Sequence, residues 1–266
     1  CPGGGYLKCA SQEGEPVALR FAAMGYHVFV LRYSTYFGLE KNIEIPNSIE
    51  EITVKNHCIF PNPILEIGMS ILLIKEYAKT WEIDSSKIAL CGFSAGGHNV
   101  AMYSNLWNTE LFSKNFNIDL NVFKPAAIIL GYMAGDLYFS KLNNIEEDKE
   151  MFFRTSYMAL LGKQELSDED IKLVSPSLHV NRYTPPTFLW STYEDGLVSV
   201  RNTIKMADAL AEKNISFEMH IFEEGSHGLS LGTQASAKIK KQINKDVAKW
   251  VDLVEVWLHK RLEIIF

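Results

Sequence analysis

Residues Lys87-Ile88-Ala89-Leu90-Cys91-Gly92-Phe93-Ser94-Ala95-Gly96 decide the fold. The run up to Phe93 is short and apolar, as a buried strand is. From Ala95 onward the chain reads as helix. Between them, Gly92-Phe93-Ser94-Ala95-Gly96 fits the pattern G-x-S-x-G. Alone that pattern is weak, because glycine and serine are common residues. Set between a strand and a helix, it reads as a sharp, strained turn that lifts the serine hydroxyl off the sheet edge. The flanking glycines leave room for the turn. The backbone N–H of Ala95 lies at a helix start, where donors are free for an anion.

Strand and helix alternate on either side of this turn. Tyr26–Tyr33, Ala126–Leu130, Thr187–Trp190 and Ser216–Phe222 read as further strands. The first of these is nearly continuous in apolar residues, as a parallel strand buried on both faces is. Glu15–Met24, Ile64–Trp81, Ser199–Asn214 and Lys238–Leu262 carry helical spacing. The alternation predicts an α/β fold, a mostly parallel sheet with helices on both faces. Phe37–Pro63 lacks periodicity, and a connection that long is usually functional or mobile. Residues 136–175 are polar and mostly helical, and they read as a small cap within a single domain spanning 1–266. The apolar stripe of the last helix suits the core, a second subunit being the other surface it could cover.

Composition narrows the function classes. The chain has 266 residues, 47% hydrophobic and 22% charged, the fractions of an ordinary globular protein. Its net charge is −6. That argues against nucleic acid or an anionic membrane as partner, since both reward basic patches. No apolar run approaches the roughly 18 residues of a membrane span. Cys1, Cys9, Cys58 and Cys91 form no C-x-x-C pair, so no zinc or redox signature is present. With no signal peptide visible, the expected compartment is the cytoplasm.

A serine hydroxyl is a poor nucleophile until a base takes its proton. The candidate base for Ser94 is His227, in the loop after the strand ending at Phe222. The candidate orienting acid is Asp195, after the strand Thr187–Trp190, although its neighbour Glu194 could also orient an imidazole. Each of these residues sits just past the carboxyl end of its own strand, the edge where open α/β sheets bind ligands. The loop Gly3-Gly4-Gly5 could add two backbone donors to that of Ala95, forming a hole for an oxyanion. His98 reads as a structural helix residue rather than a second base. Asp136 reads as a loop cap or a substrate contact. Tyr132, Phe152, Phe153 and Tyr157 read as packing aromatics, a sugar platform being the other reading.

The chain resembles the α/β-hydrolase superfamily, and more narrowly the small bacterial esterases and lipases with an H-G-G-G-type oxyanion loop. The residues that carry the resemblance run almost the whole length. They are Pro2-Gly3-Gly4-Gly5-Tyr6, Glu13-Gly14-Glu15-Pro16, Leu31-Arg32-Tyr33, Cys91–His98, Thr184–Trp190 and Gly225-Ser226-His227-Gly228. The resemblance implies a serine carboxylic-ester hydrolase acting through an acyl-enzyme on short-chain esters, acetylated sugars among them. Ser94 would be the nucleophile, Asp195 the orienting acid and His227 the base. Gly4, Gly5 and Ala95 would form the oxyanion hole. No metal or organic cofactor is implied, and the partner is a small-molecule ester, with a homo-oligomer open. An arylformamidase or peptidase of the same fold, or an inactive relative that only binds, are the alternatives. The family also places a central strand directly before the glycine loop, and this chain, starting at Cys1, is expected to lack it.

Overall fold

Four apolar runs pair side by side into a parallel sheet. They are β1 (Ala89–Phe93), β2 (Ala127–Gly131), β3 (Thr187–Thr192) and β4 (Phe217–Phe222), in the spatial order β1-β2-β3-β4. The register sets Ala89 beside Ala127, Ile128 beside Thr187, and Thr187 beside Phe217. The computed structural model describes residues 1–40, 43–137 and 149–263.

Side chains alternate between the two sheet faces, so both faces can be apolar. Ala127, Ile129, Phe188 and Trp190 face α1 (Glu15–Ala22) and α8 (Trp250–Leu262), packing with Phe21, Trp250, Val254 and Trp257. Ile128, Leu130 and Leu189 face the other way. They meet Ile67 and Ile71 of α2 (Asn62–Glu76), Val100 and Tyr103 of α3 (Ser94–Leu106), and Met206 and Leu210 of α7 (Arg201–Glu212). A short α4 (Glu110–Asn115) adds Phe112 to this second cluster. A third cluster joins the glycine loop, through Tyr6 and Leu7, to α5 (Glu150–Leu161) and α6 (Asp168–Leu173). The sheet and its two helical layers were expected. Of the expected cap, residues 138–148 lie outside the described residues, and the remainder supplies α5 and α6.

Two expectations need correction. Tyr26–Tyr33 forms no strand and joins no ladder among the described residues, and Phe29 is 46% exposed. It faces the open edge of β1 across an apolar cleft of about 380 Å³, walled by Val17, Phe21, Ile67 and Ile71. Apolar composition predicts that a segment wants burial; it does not specify which strand it hydrogen-bonds. The last helix starts at Trp250 rather than Lys238. The Asn244 side chain accepts from the N–H groups of Asp246 and Val247, and that of Gln242 from Lys238. These local bonds hold 3-10 turns at Lys240–Gln242 and Val247–Lys249 and compete with a continuous helix. Among the described residues no helix is long and apolar enough to cross a membrane.

Candidate active site

The turn after β1 is as tight as the glycines predicted. Ser94 has φ +50°, a left-handed value that costs a non-glycine residue energy. A Cβ on Gly92 would strike the Gly96 carbonyl, and one on Gly96 would strike the carbonyls of Cys1 and Pro2. Cys1 continues the β1 ladder, its nitrogen donating to the Cys91 carbonyl at 2.7 Å and its carbonyl accepting from Phe93 N–H at 3.2 Å. The glycine loop is thereby held against the turn.

The loops that carry His227 and Asp195, the candidate base and acid, converge on Ser94. The Ser94 hydroxyl lies 2.8 Å from Nε2 of His227, and Nδ1 of His227 lies 2.7 Å from Oδ2 of Asp195. A carboxylate can only accept, so Nδ1 carries the proton and Nε2 presents a lone pair to the serine. The other Asp195 oxygen accepts from the N–H groups of Leu197 and Val198, both at 2.9 Å. Asp195 is buried, while the imidazole keeps some exposure. Glu194, the adjacent carboxylate, faces elsewhere: its Oε2 accepts from Gly225 N–H at 3.4 Å.

In the glycine loop, Gly3 donates its N–H to Oε2 of Glu13 at 2.7 Å. Gly4 has φ +121° and Gly5 φ +66°, conformations a side chain would resist. Among the described residues, the Gly4 and Gly5 N–H groups donate to no backbone carbonyl. That of Ala95 lies in the first turn of α3, where N–H groups have no intrahelical acceptor. These are the three N–H groups that the sequence puts forward as candidates for an oxyanion hole. Above them, a Cβ on Gly5 would meet Cζ of Phe152 at 2.6 Å and Oγ of Ser156 at 2.9 Å, so α5 roofs the loop.

The neighbouring polar residues are fasteners. His98 is buried, with Nε2 2.6 Å from the Val174 carbonyl and Nδ1 2.7 Å from the Tyr6 hydroxyl. The carbonyl must accept, so Nε2 carries the proton and Nδ1 accepts from Tyr6. Burial pushes the pKa of this imidazole down to about 4. The buried Asp136 receives the Ser175 hydroxyl at 3.2 Å and pairs with Lys205. Tyr132 is a packing aromatic with an added task. Its ring stands edge-on to His227, centroids 5.0 Å apart, and its hydroxyl donates to Oε1 of Glu13 at 2.7 Å. The Ser230 N–H donates to that hydroxyl at 3.0 Å, and Ser230 Oγ donates to the Gln12 carbonyl at 2.6 Å. Sequence reasoning gave Glu13 no role. The available signal was a charged residue in a stretch quoted only for resemblance.

The BD-FAE family model matches residues 47–210, which is more than half of the chain. The chain belongs to the BD-FAE family. This BD-FAE chain is 30% identical, over 230 residues, to the endo-1,4-beta-xylanase B of Butyrivibrio fibrisolvens, covering 86% of this chain and 32% of that protein. It is 25% identical over 256 residues to an acetylxylan esterase of Xylanibacter ruminicola, covering 94% of this chain and 44% of that one. The chain thus spans less than half the length of either curated relative. A carboxylesterase structure from Lactobacillus plantarum superimposes with TM-score 0.78 at 27% identity, covering 100% of this chain and 86% of that one. An acetyl ester-xyloside bifunctional hydrolase from Caldicellulosiruptor lactoaceticus does so with TM-score 0.73 at 29% identity, covering 100% and 82%. The BD-FAE chain therefore has the α/β-hydrolase fold.

Proposed function

We propose that this chain is a serine carboxylic-ester hydrolase that removes acetyl groups from sugars through an acyl-enzyme. The observation that carries this reading is the pair of short hydrogen bonds linking Ser94, His227 and Asp195. Ser94 Oγ attacks the ester carbonyl while Nε2 of His227 takes its proton. The negative charge that develops on the carbonyl oxygen lies on the N–H groups of Gly4, Gly5 and Ala95. When the tetrahedral intermediate collapses, the carbon–oxygen bond to the alcohol breaks and His227 returns the proton to the departing oxygen. Water then attacks the acyl-serine with His227 again as base, releasing the acid and restoring Ser94. Asp195 holds the imidazole in one tautomer and stabilises its charged form. Residues 136–175 act as the cap of a single hydrolase domain, and α5 above Gly5 favours a short acyl group. The acetylated-sugar specificity follows the acetylxylan esterase and acetyl ester-xyloside hydrolase among the similar proteins.

Fluorophosphonate labelling followed by peptide mapping tests the chemistry without assuming a substrate. A single adduct on Ser94 is expected, absent in Ser94→Ala, which should lose at least about 10³-fold of ester hydrolysis. A panel of acetyl and butyryl esters, acetylated xylo-oligosaccharides, formanilides and peptides then identifies the substrate, with acetate release expected to be fastest. No adduct on folded protein would overturn the reading.

A further inference from the structure

We propose that Glu13 is a positioning residue for this reaction, clamping the oxyanion loop and the base loop to one buried carboxyl group. This inference rests on the serine-hydrolase reading above. Glu13 is 5% exposed. One of its oxygens takes the Gly3 N–H and the other the Tyr132 hydroxyl, both at 2.7 Å. The Tyr132 oxygen is itself the acceptor for Ser230 N–H, so its proton is committed to Glu13. Both Glu13 oxygens therefore accept, the pattern of a carboxylate.

Each contact reaches a moving part of the chemistry. Gly3 packs directly on the nucleophile: a Cβ there would lie 2.7 Å from Cβ of Ser94. Fixing the Gly3 amide on Glu13 turns the next two amides toward the site. Tyr132, held at φ +33°, braces His227 with its ring and ties the chain three residues beyond it through Ser230. Burial holds the Glu13 carboxyl above the usual carboxylate range, and the Tyr132 hydroxyl, the nearby His227 and the Gly3 N–H pull against that rise. His227 thus lies within electrostatic reach of Glu13.

Glutamine is nearly isosteric with glutamate but carries a donor where one oxygen was. Whichever way it turns, it faces either the Gly3 N–H or the Tyr132 hydroxyl with the wrong group. The test measures kcat, KM, thermal midpoint and fluorophosphonate labelling rate for wild type, Glu13→Gln, Tyr132→Phe and the double variant. Glu13→Gln should lower kcat and labelling rate about 10- to 100-fold with KM within about threefold. Tyr132→Phe keeps the ring on His227 and should lose about 10-fold. It carries the test if Glu13→Gln is insoluble. The double variant should resemble Glu13→Gln rather than multiply the losses, because both remove the same clamp. Unchanged kcat and labelling in folded Glu13→Gln, a loss confined to KM or thermal midpoint, or multiplicative losses would each overturn the proposal. If wild type itself takes no label at Ser94, the hydrolase reading fails. If wild type and Glu13→Gln label equally fast, the clamp alone fails.

Discussion

Replacing Asp195 by asparagine exchanges one oxygen for an amide nitrogen, and the surroundings dictate where that nitrogen goes. Oδ1 accepts from two backbone N–H groups, Leu197 and Val198, while Oδ2 meets Nδ1 of His227. An amide nitrogen set against two buried N–H donors would leave all three unsatisfied, so the remaining oxygen keeps that side. The new NH₂ must then face His227 and donate to Nδ1. The imidazole proton moves to Nε2, which can no longer accept from Ser94, 2.8 Å away. Nucleophile, base and hole all remain in place, but the base holds its proton at the wrong nitrogen. A wrong tautomer of this kind costs about 10⁴-fold in kcat, or about 5 kcal/mol of barrier. Asp195→Asn should therefore hydrolyse p-nitrophenyl acetate about 10⁴-fold more slowly, with an unchanged circular dichroism spectrum and near-normal KM. Glu194→Gln should stay within about threefold of wild type. Asp195→Asn retaining a tenth of the activity, or Glu194→Gln losing most of it, would refute the assignment.

Gly5→Ala should lower kcat about 10²- to 10³-fold at preserved secondary structure, because φ +66° resists a side chain and the added Cβ meets Phe152 and Ser156. Activity within threefold of wild type would remove Gly5 from the oxyanion hole. His98 binds its proton only near pH 4 when folded but near pH 6.5 when exposed. The unfolded chain takes up that proton first as pH falls, so this site's stabilisation is complete above about pH 6.5. It is lost progressively down to about pH 4, a change of about 3 kcal/mol. Urea midpoints at pH 7.5 and 4.5 should separate more for wild type than for His98→Gln, and equal separation would contradict the neutral, buried histidine.

What the sequence made legible was local. The turn around Ser94 announces itself because its strand, glycines and helix are contiguous, and the positions of Asp195 and His227 after strands follow from counting along the chain. The choice of Asp195 over Glu194 came from the resemblance, since by chemistry alone adjacent carboxylates differ only in which way the turn points them; the turn sets Asp195 against His227. Glu13 was invisible as a functional group. Its partner Tyr132 is 119 positions away, and nothing near Glu13 marks it as buried. Tyr26–Tyr33 read as a strand because apolar content reports the wish for burial, whereas a ladder depends on what lies alongside. The late start of α8 lay in the side chains of Gln242 and Asn244, which bond backbone N–H groups that a helix would use.

The bond from Ser230 to Gln12 joins residues 218 positions apart, and that from His227 to Ser94 spans 133. A ribosome delivers Gly4, Gly5 and Ser94 long before it delivers the base. On the proposed reading, the nucleophile is made 133 residues before its base and stays unarmed over that interval. Contacts of such long span form slowly, after local helices. On the proposed reading, activity during refolding should appear only after the segment carrying Gln12 and Ser94 has met the segment carrying His227 and Ser230.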